Sequence, residues 1–135
     1  MLDKKIIDLL IDTRKQALAI YSNFHVAAVL VSEDNKFVTG FNIESSSYGL
    51  TICAERVALF KALSEGIRQF SRIYIMGDGK SFCPPCGACR QVLLDFAPEI
   101  NVILVTDTGE SQKYTLKELL PHAFDEHFLK DSKKK

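Results

Sequence analysis

The sequence predicts an α/β fold, and three features carry that reading. Apolar stretches at Ile73 to Met76 and Val102 to Val105 flank a helix-like stretch at Cys86 to Phe96, which makes a βαβ unit with parallel strands. Val26 to Val31 is a run of six apolar residues, too short for a helix, and Glu33-Asp34-Asn35 turns it back into Lys36 to Gly40 as a hairpin. Helical spacing of apolar residues appears both before the hairpin and after it.

Taken in order, Asp3 to Tyr21 is expected to be a helix, because Ile6, Leu9, Leu10, Thr13, Ala17 and Ile20 fall near helical spacing and Asp3 is placed to cap the first turn. After the hairpin, Phe41 to Leu50 is polar, rich in Ser and without periodicity, so it reads as a loop able to line a site. Ala54, Val57, Ala58, Ala62 and Leu63 mark a helix from Cys53 to Glu65, which Gly66 stops. Pro98 ends the Cys86 to Phe96 helix. A weaker strand near Lys113 and Tyr114 leads into Thr115-Leu116-Lys117-Glu118, a capping-box pattern that opens a short helix ended by Pro121. No internal repeat or linker divides the chain, so residues 1–135 are expected to form a single domain.

Composition narrows the function. A chain of 135 residues with 47% apolar content has enough material for one ordinary core. Seventeen basic residues balance seventeen acidic ones, so no global positive field exists to hold a polynucleotide, and a small neutral substrate suits the balance. No apolar run approaches the roughly 18 residues of a membrane span, and Met1 to Tyr21 is charged throughout, unlike a secretory signal. A cytoplasmic protein is expected. Lys130 and Lys133 to Lys135 read as a solvated, disordered basic tail spanning residues 130–135.

The chemistry concentrates in TICAER, Thr51 to Arg56, and in CPPCGACRQ, Cys83 to Gln91. Cys53, Cys86 and Cys89 offer three sulfurs, and tetrahedral zinc with three protein ligands keeps a fourth position for water. Glu55 then serves as the acid and base beside that position. In mid-helix, Cys53 and Glu55 would point to nearly opposite faces, since each residue turns a helix by about 100°. At a helix start both reach the space in front of the first turn, and the loop before Cys53 places the start there. Three thiolates leave the site anionic; two helix N-termini, with Arg56 and Arg90 next to the motif residues, oppose that charge.

Other readings of the same residues exist. A closed structural clip would have four ligands and no use for a carboxylate. Cys83 forms a second CxxC with Cys86, as a dithiol redox motif would, but that leaves Cys53, Glu55 and Cys89 unexplained. His25, His122 and His127 share no ligand spacing, and Gly79-Lys80-Ser81 lacks the preceding glycine and following helix of a phosphate loop.

The order Cys-Ala-Glu followed by Pro-Cys-x-x-Cys is the signature of zinc deaminases. CAER, PCGACRQ and Asn42-Ile43-Glu44 resemble the cytidine deaminase family, in its small, three-cysteine, homotetrameric class, and the resemblance runs from about Tyr21 to Phe124. It implies a three-layer α/β/α fold on a mixed five-stranded sheet of order 2-1-3-4-5. It also implies one Zn²⁺ per subunit and hydrolytic deamination of cytidine and deoxycytidine, with water attacking C4 while Glu55 carries a proton to N3 and then to the departing amine.

The same resemblance gives Asn42 and Glu44 to the sugar hydroxyls, the backbone around Ala54 to the pyrimidine oxygen, and Phe24 to the base or sugar. Phe124, and more weakly Tyr48, would reach the site of a neighbouring subunit of a homotetramer. Asn42 and Glu44, two apart, face one side of an extended segment, which fits that role. The chain departs from the family pattern at His25 (commonly Pro), Ala27 (commonly Gly), Ser45 (commonly Asn) and Pro84 (commonly Ser). These positions are expected to flank the nucleoside pocket, so they bear on substrate identity. Alternatives are deamination of another aminated pyrimidine nucleoside, such as a blasticidin-type antibiotic, a non-catalytic zinc-stabilised binding module, and a nucleic-acid-editing deaminase, against which the neutral charge counts.

Overall fold

The run Val26 to Val31 is apolar at every position because its strand lies in the middle of the molecule and is covered on both faces. In the computed structural model, which describes residues 2–133, β1 (Ala27–Ser32) is buried along its whole length. Ala28 and Leu30 point into one core and Ala27, Val29 and Val31 into a second on the other face. α1 (Lys4–Lys15) covers the second core with Ile6 and Leu10. α2 (Ala54–Ser64) and α3 (Gly87–Phe96) cover the first with Ala58, Leu59 and Leu93. Burying such a leucine contributes roughly 1.5–3 kcal/mol.

The remaining strands are β2 (Phe37–Phe41), β3 (Phe70–Met76), β4 (Asn101–Val105) and β5 (Ser111–Thr115). They give one five-stranded sheet of order β2-β1-β3-β4-β5. β3 and β4 are parallel and joined through α3, and the other neighbours are antiparallel, so the sheet is mixed and the expected α/β/α layering is present. α4 (Leu116–Leu119) opens on the predicted capping box: Glu118 N donates to Thr115 Oγ1 at 3.3 Å and Thr115 N to Glu118 Oε1 at 2.9 Å.

Register decides where the site lies. Ala27 pairs with Phe41 on one side and with Met76 on the other. The segment entering β1, the segment leaving β2 and the segment leaving β3 therefore meet at one end of the sheet. Gly40 brings α2 to the same end: a Cβ there would lie 2.6 Å from Ala58 N and against Ala54 O, so only glycine lets the first turn of α2 rest directly on β2.

Three boundaries differ from expectation. α1 ends at Lys15, not Tyr21, because the chain leaves the helix to pair as a bridge: Leu18 N donates to Asn42 O, and Glu44 N to Leu18 O. The expected loop holds a single 3₁₀ turn at Tyr48–Leu50. The C-terminal basic stretch is helical to Lys133 as α5 (Glu126–Lys133), with an i,i+4 ion pair of 3.1 Å between Lys130 and Glu126 and with Phe128 stacked on Phe124. Lys134 and Lys135 of the expected tail, and Met1, lie outside the described residues. No helix among the described residues is long and apolar enough to cross a membrane.

Candidate active site

Cys53 and Cys86 are the N-cap residues of α2 and α3, and neither side chain caps its own helix. Both helix N-termini, with their partial positive charge, are therefore turned toward sulfur. Cys89, one turn into α3, is buried behind them. The Cys53 and Cys86 sulfurs are 3.6 Å apart, Cys86 and Cys89 3.4 Å, and all three lie within 4.8 Å of one another. Tetrahedral zinc with Zn–S bonds of about 2.3 Å spaces its sulfurs about 3.8 Å apart, so the cluster fits that ion with little adjustment.

The electrostatics agree with a ligand set. Hydrogen bonding from the Cys89 thiol, helped by Arg56, pulls the Cys53 thiol down to about 5, and the same pairing pushes Cys89 up. Arg56 Nη2 donates to Cys53 Sγ at 3.6 Å, while its buried Nε has no partner among the described residues. Cys83 stands apart: burial pushes its thiol up to about 11, and it is not one of the three clustered sulfurs. Arg90 does not reach sulfur. Its Nε donates to Pro85 O at 2.8 Å and its Nη1 to Leu119 O at 2.6 Å, so it ties the approach to α3 to the end of α4.

In front of the sulfurs lies a cavity of about 330 Å³, lined by Phe24, Asn42, Glu44, Cys53, Ala54, Glu55 and Cys86 together with Ser22, Val26, Thr51, Cys83 and Pro84. Glu55, the second residue of α2, is 4% exposed, and burial, with the nearby Cys53, raises its carboxyl to about 7. A second cavity of about 350 Å³ shares Ser22, Glu44 and Thr51 and adds Tyr21 and Tyr48, whose rings are 5.8 Å apart.

Asn42 and Glu44 face the cavity and also hold its wall. Asn42 Oδ1 accepts from Val26 N and its Nδ2 donates to Phe24 O, both at 2.9 Å. Glu44 accepts from the Ser22 hydroxyl, from Ser22 N at 3.0 Å and from Tyr21 N at 2.9 Å, which in that order of strength hold its carboxyl below the usual carboxylate range. Phe124 is not part of the cavity in this chain. It is 58% exposed, and its carbonyl accepts from Gln91 Nε2 at 2.9 Å.

Sequence reasoning missed Ser22, Val26, Thr51 and the wall role of Cys83. Ser22 precedes Phe24 by two residues and Thr51 begins the first motif, but neither pattern says what such residues touch. Of the four family departures only Pro84 lines the cavity. Ala27 is buried in the core under α1, the His25 ring is bonded to Asp78, and Ser45 N bonds the Thr51 hydroxyl.

A sequence profile described as the cytidine and deoxycytidylate deaminase zinc-binding region matches residues 1–105. The chain is similar to the cytidine deaminase of Halalkalibacterium halodurans, with 47% identity over 122 residues, 90% of this chain and 92% of that protein. Its fold is similar to the crystal structure of cytidine deaminase from Burkholderia pseudomallei, with a TM-score of 0.85 and 42% identity over 92% of this chain and 100% of that one. The corresponding structure from Mycobacterium tuberculosis gives a TM-score of 0.77 and 32% identity over 92% of this chain and 98% of that one. With a three-sulfur zinc group at two helix N-termini and a buried carboxyl beside it, this chain belongs to the cytidine deaminase family.

Proposed function

We propose that this protein catalyses the hydrolytic deamination of cytidine and deoxycytidine to uridine and deoxyuridine, a reaction of pyrimidine salvage, within a single domain. The observation that carries the reading is Glu55: a carboxyl only 4% exposed, in the first turn of α2, on the same cavity wall as Cys53 and Cys86 of the three-sulfur cluster. Cys53, Cys86 and Cys89 hold the metal, and zinc bound there supplies a Lewis acid that makes water at its open position more acidic.

Glu55 does the proton work. It takes a proton from water as the oxygen bonds to C4, passes it to N3, and then moves the proton of the new C4 hydroxyl to the amine as C4=O forms, the C4–N bond breaks and ammonia leaves. A carboxyl held within the cavity beside the position where water and substrate meet can serve as base for the first transfer and as acid for the next. Ala54 offers backbone to the pyrimidine oxygen. Asn42 and Glu44 hold the ribose hydroxyls with whatever acceptor capacity the wall leaves free, and Phe24 covers the base or sugar. Arg56 offsets the thiolate charge through Cys53, and Arg90 steadies the Cys86 approach.

The active form is a homotetramer in which Phe124 and Tyr48 complete a neighbouring site. Support comes from the exposed Tyr21 and Tyr48, which line the adjoining cavity, and from the exposed Ile20, Leu50 and Phe124. A substrate panel with ammonia release, zinc content measured on the same sample, tests the reaction. Turnover of free cytidine is expected; turnover restricted to another aminated nucleoside, or none with zinc bound, overturns it. Sedimentation tests the assembly, and a fully active monomer overturns the shared site.

A further inference from the structure

The wall segment from Tyr21 to Val26 runs between two carboxylates. On the Glu44 side, Tyr21 N and Ser22 N are held as described, and Ser22 Oγ in turn accepts from Phe24 N at 3.0 Å. On the far side stands Asp78, just beyond β3. A single oxygen of Asp78, Oδ2, accepts both from His25 N at 2.7 Å and from His25 Nδ1 at 2.8 Å. Phe24, the one aromatic ring of the 330 Å³ cavity, lies between the two anchors.

Asp78 is itself fixed from behind. Arg14, at the end of α1, places Nε 3.9 Å from Asp78 Oδ1, donates from Nη1 to Gly77 O at 2.7 Å, and pairs with Asp107 beyond β4. Burial opposes the ionisation of Asp78, but the His25 N–H, the His25 ring and Arg14 together hold its carboxyl below the usual range. The loop carrying Asp78 also touches the ring it helps to place: a Cβ on Gly77 would lie 3.0 Å from Phe24 Cζ and 2.8 Å from Cys83 Cβ.

We propose that His25 is a positioning residue for the reaction, whose two donors to Asp78 set the orientation in which Phe24 meets the nucleoside. The inference rests on the reading of this cavity as the nucleoside site. The side chains of His25 and Asp78 are 32% and 39% exposed, and a polar pair that open to water adds little to global stability. Its convergent geometry acts on position instead. A loose Phe24 weakens ground state and transition state alike, which raises KM and leaves kcat nearly unchanged.

The test uses the zinc-loaded full-length chain, with cytidine kinetics, calorimetric binding of the product uridine, zinc content and Tm. His25→Ala removes the ring but keeps the N–H, and is expected to raise both KM and the uridine Kd about fivefold, with kcat within about twofold and zinc unchanged. His25→Pro removes both donors and is expected to cost more, whereas His25→Asn, which keeps the N–H and a side-chain donor, restores part of the loss. Asp78→Ala, which removes the acceptor of both donors, should cost at least as much as His25→Ala, and the double variant should be no worse than Asp78→Ala alone, because the ring bond lost in His25→Ala is one of the two that Asp78→Ala removes. Unchanged KM and uridine affinity in His25→Ala overturn the proposal, as does a fall in kcat at constant KM or full additivity in the double variant. If His25→Pro fails to fold, His25→Ala and Asp78→Ala decide. A parent that binds zinc but neither turns over cytidine nor binds uridine overturns the proposed function, and this inference with it.

Discussion

The two sides of the cavity are built on opposite plans. The zinc side comes from two contiguous motifs, each placed at the first turn of a helix, so that Cys53 and Glu55, or Cys86 and Cys89, are oriented by the backbone conformation of a few neighbouring residues. The opposite side is a stretch of loop in which the N–H groups of Tyr21, Ser22, His25 and Val26 are taken up by side chains 16 to 53 residues away, Glu44, Asp78 and Asn42. Local geometry makes the first side stiff and exacting in residue type. The second side is a network in which each bond is modest and the sum sets a shape.

That contrast predicts where substitutions bite. Cys53→Ser, Cys86→Ser or Cys89→Ser should each lose the metal and at least about 10³-fold in turnover, while Glu55→Gln should keep zinc and lose about 10²- to 10⁴-fold in kcat. Metal analysis beside kinetics separates the two; a Glu55→Gln protein within tenfold of the parent breaks the acid/base assignment. On the opposite wall, Asn42→Ala leaves Val26 N and Phe24 O without their partner, a cost of about 1–3 kcal/mol of stability for each group left buried. There the expected kinetic signature is a raised KM with zinc intact, and loss of zinc from this variant would mean that the two sides are not independent.

Glu55 also gives the zinc side a pH signature in the metal-free protein. Its carboxyl titrates near 7 in the fold, against an ordinary value of 4.5, so between those values the folded protein holds a proton that the unfolded chain releases. Glu55's own contribution to stability is therefore lost as pH rises through that window, opposed by the lowered Cys53 thiol, and by pH 8 most of the buried charge is present. Glu55→Gln removes the penalty, and its stability gain over the parent is expected to be about 2 kcal/mol larger at pH 8 than at pH 5. Equal gains at both pH values, measured by denaturant unfolding after chelation, would mean that the carboxyl is not desolvated.

The smallest effect is expected at Cys83, which belongs to the cavity wall and not to the metal. Cys83→Ser should retain zinc and turnover, at a stability cost of about 1 kcal/mol from exchanging a packed thiol for a hydroxyl. Release of zinc from this variant would turn the site into a four-sulfur clip and remove the open position that the chemistry needs.

Much of the molecule was legible in the sequence because the relevant physics is local. Apolar runs and a turn signal located the strands to within a few residues, the capping box at Thr115 and Glu118 appears as predicted, and Cys53 falls at a helix start, where it and Glu55 can face one space. The errors also have local causes. The apolar spacing continues through Ala17 and Ile20, but the chain there trades helical bonds for a bridge to Asn42 and Glu44, a gain that helical periodicity does not contain.

The residue types and spacing of Cys53, Glu55, Cys86 and Cys89 are thus enough by themselves to specify a zinc group with a carboxyl beside it, since each helix start carries its own pair. The sequence does not state that Glu55 will be dry enough to titrate near 7, that Arg90 will bond to carbonyls and not to sulfur, or that Asp78 will accept twice from His25. Those facts follow from the register of β1 against β2 and β3, which brings residues 22–26, 42–53 and 77–86 to one end of the sheet. Burial and hydrogen bonding between segments distant in the chain exist only once the sheet is assembled, and so the wall of the site is decided by the tertiary structure.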